Sequence, residues 1–295
     1  MAAERPDIVF PSRAWEQEKD VMNYWAGKRA VVTGGSAGLG RELAGVLVER
    51  GARVALVARR RDLLDVAAGD LQSRGAHVLV VTADVTSQTD VDRLAATVQS
   101  AWGGVDLLCN CAGWSMRGTV LATPAEKFQE LWDANVMSAV RCTQAFAPAL
   151  AESHGHVVLV GSLASKVAAG YLGAYAATKF PLAAVAQQLR IELGEAGPHV
   201  LLVCPGPIAR LDAPATEAEG RYAEDGVDVP SAAQLPGGGA KLRAIDPRRL
   251  SERILRGCER RQAELIVPGR ARLLFAISQL SPRLGDWLVR RMTSG

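Results

Sequence analysis

The chain has 295 residues, 48% apolar and 22% charged, and 34 basic against 31 acidic residues leave a net charge of +3. This balance excludes collagen-like, disordered and disulfide-scaffold proteins, and the charge is too small for a general nucleic-acid binder. Length alone suggests about two domains, but the pattern along the chain decides for one main unit.

Residues 1–25 form an extension ahead of the first periodic segment. Residues 29–33 (RAVVT) are a short β-branched run, followed by glycines and a helical pattern over 41–50. Residues 53–58 (RVALVA) read as a buried strand and 62–74 as a helix. Strand-like runs recur at 77–82, 105–110, 156–160 and 199–204, and the longest helices fall at about 124–152 and 172–196. Continuous apolar strands separated by helices predict an α/β fold, a Rossmann-type doubly wound parallel sheet with helices on both faces, over 26–268. Its crossovers are expected right-handed and its ligands at the carboxyl edge of the strands.

Two stretches break the alternation. Residues 211–244, rich in Pro, Gly, Ala and acids and containing PGGG at 236–239, are expected to be a substrate lid or loop. Residues 269–295 form a C-terminal amphipathic helical extension. Leu273, Leu274, Ile277, Leu280, Leu284, Trp287 and Leu288 recur there at near-helical spacing, and Pro282 is expected to kink or divide the helix. The apolar face is expected to pack on its own domain or a second subunit. Seating on a membrane surface is the alternative, because Arg270, Arg272, Arg283, Arg290 and Arg291 could meet anionic headgroups. Residues 246–295 hold 11 Arg against five acidic residues, although a solvated helix face is the simpler account of such a run.

Cys109, Cys111, Cys142, Cys204 and Cys258 form no CxxC pair and read as reduced thiols, so a cytoplasmic setting is expected. The first twenty residues lack a secretory apolar core, and no window offers 18 uninterrupted apolar residues for a spanning helix.

The chemistry begins at Thr33-Gly34-Gly35-Ser36-Ala37-Gly38-Leu39-Gly40, between the first strand and helix, where glycines let a backbone approach a pyrophosphate at a helix N-terminus. The second strand ends in Ala58-Arg59-Arg60-Arg61. An NAD site would carry an acid there. Ala58 leaves no carboxylate to repel a 2′-phosphate, and Arg59 can pair with it, so NADP is expected and NAD is the lesser alternative. Tyr175 and Lys179, four residues apart at the start of a helix, share one face. An ammonium there favours the phenolate and lowers the phenol pKa. Ser162 lies thirteen residues earlier, at the edge where ligands bind.

With these elements in order the chain resembles the short-chain dehydrogenase/reductase family, in its single-domain branch. Thr33 to Gly40 fits TGxxxGxG, Asn110-Cys111-Ala112-Gly113 is similar to NNAG, Asn135 sits in an ANV segment, and Tyr175-Ala-Ala-Thr-Lys179 fits YxxxK. Ser162 keeps the family interval to Tyr175, and Pro205-Gly206 matches the turn after the sixth strand. The resemblance is strong over about 26–210. It implies Tyr175 as general acid or base, Lys179 tuning it and holding the nicotinamide ribose, Ser162 binding the carbonyl oxygen, and Asn135 anchoring a water in a proton relay. It further implies cofactor contacts at Gly34, Ser36, Gly38, Leu39, Gly40, Arg59, Asp84 and Val85. Asn110, Ala112, Gly113, Tyr175, Lys179, Pro205, Gly206 and Ile208 complete that set, with Asp84 at the adenine. Asn110 would stabilise the central strand or contact the cofactor. Assembly as a homodimer or homotetramer through the helices near 124–152 and 172–196 is also implied.

Two departures stand out. Where the family often has PGxxxT, this chain ends PGPIAR, losing the threonine that meets the carboxamide, and Pro181 interrupts the helix that carries Tyr175. The histidines at 77, 154, 156 and 199 lack metal-ligand spacing, and no metal is expected. Trp114, Ser115 and Met116, with Leu163, Val167, Tyr171 and Leu172, should line an apolar pocket mouth. The expected reaction is hydride transfer between nicotinamide and a small lipophilic carbonyl or alcohol. A 3-oxoacyl thioester reductase and a nucleotide-binding sensor without turnover are the alternatives.

Overall fold

The computed structural model describes residues 24–210 and 242–293. The expected lid therefore falls, but for 242–244, outside the described residues, as does nearly all of the N-terminal extension. The main-chain order is β1 (Arg29–Thr33), α1 (Gly38–Glu49), β2 (Arg53–Ala58), α2 (Arg61–Gln72), β3 (Val78–Thr82), α3 (Gln88–Trp102) and β4 (Leu107–Asn110). It continues through α4 (Ala125–Trp132), a π-turn (Asp133–Met137), α5 (Ser138–Glu152), β5 (His156–Val160), α6 (Gly173–Leu193) and β6 (His199–Pro205). The last elements are α7 (Pro247–Glu259), β7 (Glu264–Val267), α8 (Ala271–Leu280) and α9 (Pro282–Thr293).

Seven strands form one parallel sheet in the order β3-β2-β1-β4-β5-β6-β7. Because strand side chains alternate, each strand feeds two cores. Ala30, Val32, Leu107, Cys109, Leu201 and Val203 face α1, α2 and α7, whose Leu43, Leu47, Leu64 and Ile254 are fully buried. Val31, Ala55, Val57, Leu108, Leu159 and Leu202 face α3, α5 and α6 around Leu94, Phe146, Leu150 and Leu182. Both faces are dry, which is why the strands read as unbroken apolar runs.

The direction of the chain reverses between β1 and β4, the seam of a doubly wound sheet where ligands sit. The expected helix over 124–152 is interrupted: five residues form a π-turn, leaving Asn135 buried at 2% exposure. Pro181 lies inside α6, which nonetheless runs on to Leu193. Pro282 does divide the C-terminal helix, opening α9 at its first turn, where a missing N–H costs nothing. Helices α3 and α7 were not singled out in the sequence, although each starts at a working cap: Ser87 accepts from Asp90 N, and Asp246 from Arg249 N ahead of Pro247.

Candidate active site

The turn after β1 is built by exclusion. A methyl at Gly40 would overlap the carbonyl oxygen of Gly34 and lie 2.9 Å from its carbon, so only glycine lets α1 start this close to the strand. Thr33 ties the seam: its Oγ1 donates to Cys109 O and accepts from Cys111 N at 3.1 Å and Ala112 N at 3.2 Å. The loops leaving β1 and β4 are thus locked side by side.

Ser162 caps a short 3-10 turn after β5. Its Oγ accepts from Ala164 N at 3.1 Å, and its own N–H donates to Ser165 Oγ at 3.1 Å. Tyr175 and Lys179 come from the first two turns of α6. Lys179 is buried, its Nζ donates to Val160 O at 3.0 Å and lies 5.9 Å from the centre of the Tyr175 ring. Burial lowers its pKa to about 8, partly opposed by the Cys111 and Cys204 thiols.

Asn135 is held from three sides. Its side-chain amide is committed to protein: Nδ2 donates to Trp114 O and to Thr178 Oγ1, and Oδ1 accepts from Trp114 N, each at 3.0 Å. Thr178 Oγ1 in turn donates to Tyr175 O. Asn135 therefore links the loop after β4 to the helix bearing Tyr175 and Lys179. Asn110, at 5% exposure, gives its Nδ2 to Thr143 Oγ1, so of its two expected roles the geometry fits the structural one.

One cavity of about 1900 Å³ opens along the carboxyl edge of the sheet. Its walls bring together Gly34, Ser36, Gly38, Leu39, Gly40, Arg59, Asp84, Val85, Ala112 and Gly113 with Ser162, Tyr175, Lys179, Pro205, Gly206 and Ile208. Of the sequence-predicted site residues only Asn110 and Asn135 stand behind the wall. Trp114, Ser115, Leu163, Val167 and Leu172 line it as expected, whereas Met116 is packed at 2% exposure against Leu131 and Ala174, and Tyr171 is half exposed outside the wall. The described walls carry seven cations (Arg59, Arg60, Arg117, Lys127, Lys179, Arg210 and Arg270) against two carboxylates, Asp84 and Glu130. Such a lining suits a polyanionic ligand.

The sequence reading missed Arg117, Arg210 and the part played by the C-terminal helices. Leu274, Phe275 and Ile277 of α8 and Leu288, Val289 and Met292 of α9 wall the cavity from outside the sheet. The signal was the apolar stripe itself, but a stripe does not say what it faces. Arg61 is exposed and paired with Asp65, away from the cavity that Arg59 and Arg60 line.

At the opposite edge His156 and His199 begin β5 and β6, in reach of each other and of Cys258. Tyr24 Oη lies 2.6 Å from His156 Nε2, the two Nδ1 atoms are 3.0 Å apart, and His199 Nε2 lies 2.8 Å from Gln262 O. One proton per ring, with Tyr24 as donor, satisfies every nitrogen in this line, and burial keeps both rings below their ordinary pKa, His156 at about 3.

A sequence model of the family described as short chain dehydrogenase matches residues 28–219. The chain is 36% identical over 214 residues to a glycine betaine reductase of Emericella nidulans, a match covering 71% of this chain and 16% of that one. It is 35% identical over 191 residues to the 1-deoxy-11-beta-hydroxypentalenate dehydrogenase of Streptomyces exfoliatus, covering 63% of this chain and 68% of that one. The chain thus spans between a sixth and about two thirds of these two relatives. Among solved structures, L-sorbose reductase from Gluconobacter frateurii, complexed with NADPH and L-sorbose, is 30% identical with a TM-score of 0.73, covering 84% of this chain and 97% of that one. No helix among the described residues is long and apolar enough to cross a membrane. With the family pattern matched over most of its length on a Rossmann-type sheet, this chain belongs to the short-chain dehydrogenase/reductase family of oxidoreductases.

Proposed function

We propose that the chain is an NADP-dependent oxidoreductase that reduces the carbonyl, or oxidises the alcohol, of a small lipophilic substrate. Residues 26–268 form the oxidoreductase domain and the C-terminal helices complete its pocket. The observation that carries this reading is the continuity of one cation-rich cavity from the glycine turn to Ser162, Tyr175 and Lys179. A dinucleotide fits its residues: methyls at Gly34, Gly35 and Gly40 would meet neighbouring atoms at 3.0 Å or closer, which keeps the turn tight, and the end of β2 offers Arg59 and Arg60 where a carboxylate would repel a 2′-phosphate.

When bound, the nicotinamide supplies or accepts the hydride at the carbonyl carbon. In reduction Tyr175 gives its hydroxyl proton to the carbonyl oxygen, and in oxidation it takes the proton back. The oxygen of Ser162 already accepts from Ala164 N, which leaves its O–H to donate to the substrate oxygen. Lys179, anchored on Val160 O, supplies the positive charge that favours the phenolate and reaches toward the ribose hydroxyls. Asn135 holds the helix that carries Tyr175 and Lys179 in register with the loop after β4. Leu163, Val167, Leu172, Phe275 and Leu288 favour an apolar substrate body.

The test is binding of NADPH and NADH, followed by tryptophan fluorescence, for wild type and Arg59→Ala. NADPH should bind at least tenfold tighter, about 1.4 kcal/mol, and the substitution should remove the difference. Equal binding refutes the NADP reading. Binding of neither refutes the enzyme reading. NADPH oxidation with a panel of lipophilic ketones, lost in Tyr175→Phe, separates turnover from nucleotide sensing, and 3-oxoacyl thioesters in the panel test that alternative.

A second reading concerns α8 and α9, which turn Leu280, Leu284 and Trp287 outward among arginines. Liposome flotation with anionic vesicles tests surface seating, and loss of flotation in Leu284→Asp would support it. Assembly through α4 to α6 is supported by the exposure of Trp132, Phe180 and Ile191. Light scattering at 31 kDa alone would refute it.

A further inference from the structure

His156 and His199 open neighbouring strands and are partners in the register of β5 and β6. Side chains alternate along a strand. Val158 shares the parity of His156, Leu201 and Val203 share that of His199, and all three pack in the core that α7 covers. Both rings therefore turn to that face. Cys258, in the last turn of α7, meets them there as a free thiol at 0% exposure. One ligand atom from each of the three lies within 4.8 Å of the other two. The three residues are far apart in the chain, so no local spacing announces them.

The outer nitrogens of both rings are taken. His199 Nε2 lies 2.8 Å from Gln262 O, and His156 Nε2 lies 2.6 Å from Tyr24 Oη. A carbonyl can only accept, so neutral His199 carries its proton on Nε2 and turns a bare Nδ1 inward. Tyr24 can donate or accept. When it accepts, His156 also presents a bare Nδ1, and two lone pairs face each other across 3.0 Å. That arrangement calls for a cation between them. Imidazoles that bind a metal are held in this way, the far N–H given to a carbonyl or another oxygen. Two imidazole nitrogens and a sulfur suit zinc, whose bonds of about 2.0–2.1 Å to nitrogen would set the two Nδ1 atoms about 3.3 Å apart. The rings need to part by only a little. The Trp25 ring, fully buried, and the Tyr24 ring pack over His156 with centroids 5.7 and 5.9 Å away and form an apolar wall.

We infer that His156, His199 and Cys258 form a zinc site that fastens β5 and β6 to the end of α7. Solvent completes its four-coordinate shell. Metal entry turns the Tyr24 hydroxyl round, moves the His156 proton from Nδ1 to Nε2 and releases the Cys258 thiol proton to water. Both rings stay neutral. Without the metal the line closes on protons alone, as described above. The site stands at the edge of the sheet opposite the cavity, so its role is structural and independent of the oxidoreductase reading.

The experiment loads the full-length chain, freed of any tag, with zinc, removes unbound metal and measures what is retained. Wild type is compared with Cys258→Ala and His199→Ala, with circular dichroism as the folding control. Wild type should retain about one zinc per chain, and each variant less than about a tenth of that. Zinc at about a hundred times its Kd should raise the wild-type Tm by about 5–10 °C and leave the variants unmoved. X-ray absorption of the zinc-loaded wild type reads the ligands directly and keeps the test decisive where a variant fails to fold. Nitrogen ligands with a single sulfur at about 2.3 Å are expected. Wild type that retains no zinc overturns the inference. Zinc retained equally by folded Cys258→Ala and His199→Ala, or a shell without sulfur, also overturns it, because the metal then sits elsewhere. NADPH binding is read separately, so a failure here is distinguishable from a failure of the proposed function.

Discussion

Changing Asn135 to Asp replaces one nitrogen by oxygen in a side chain at 2% exposure. The lost Nδ2 donates two hydrogen bonds of 3.0 Å, to Trp114 O and Thr178 Oγ1. Each is worth about 1 kcal/mol, and leaving the Trp114 carbonyl against another oxygen adds roughly 1–3 kcal/mol. The total is on the order of 3–5 kcal/mol. In a domain of this size each kcal/mol moves Tm by about 2–4 °C, so scanning calorimetry at pH 8 should show a fall of roughly 10 °C. Because the link runs through Thr178 to Tyr175 O, kcat should fall more than cofactor affinity. A protonated Asp regains one donor, so the gap to wild type should narrow in acid. A loss below about 2 °C with unchanged kcat would refute the reasoning.

Gly113 holds φ at +146°, and a methyl there would run into Asn135 Oδ1, so Gly113→Ala should lower kcat/KM by about a hundredfold through misplaced loops, measured by initial rates. An unfolded histidine takes its proton near pH 6.5 whereas folded His156 resists until about 3, so the unfolded chain binds more protons in between and stability falls with pH below 6.5. At pH 5 this amounts to about 2 kcal/mol, seen as a lowered Tm that His156→Asn should flatten. Burial lowers the Lys179 pKa to about 8, so reduction should decline as pH rises through that value and the ammonium is lost; a profile flat to pH 9.5 would contradict this role. The five thiols are all pushed above their ordinary pKa by burial and should resist a thiol reagent at pH 8 until the chain is denatured.

Strands of a parallel sheet are legible because both faces need apolar side chains: HVVLV and HVLLVC can hardly be anything else. Motif residues are legible for a similar reason, since each is fixed by a contact no other residue makes, as the clash at Gly40 shows. Less legible was the start of β4. Asp106 falls inside the apolar run 105–110, yet its carboxylate takes the N–H and the guanidinium of Arg29 ahead of the strand. The π-turn at Asn135 was not legible because DANVM, although a weaker helix former than the AEKFQELW before it, differs only as an ordinary weak helical stretch would. Arg210 read only as a missing threonine, since what it faces, Gly38, is 172 residues earlier in the chain. Pairings of that kind come from topology rather than local pattern.

The strand order also dictates how the molecule can grow during synthesis. β1, β2 and β3 are neighbours in chain order and can join as soon as they emerge, after which β4 to β7 add one by one on the other flank. The sheet therefore spreads outward from its first strand in two directions, and the cavity straddles the seam where they meet. A nascent chain ending just after residue 205 would own six of the seven strands and no finished pocket, because the last wall is contributed by α8 and α9. The same asymmetry works in reverse in the mature protein: loosening that terminal hairpin would abolish the pocket while leaving the sheet intact.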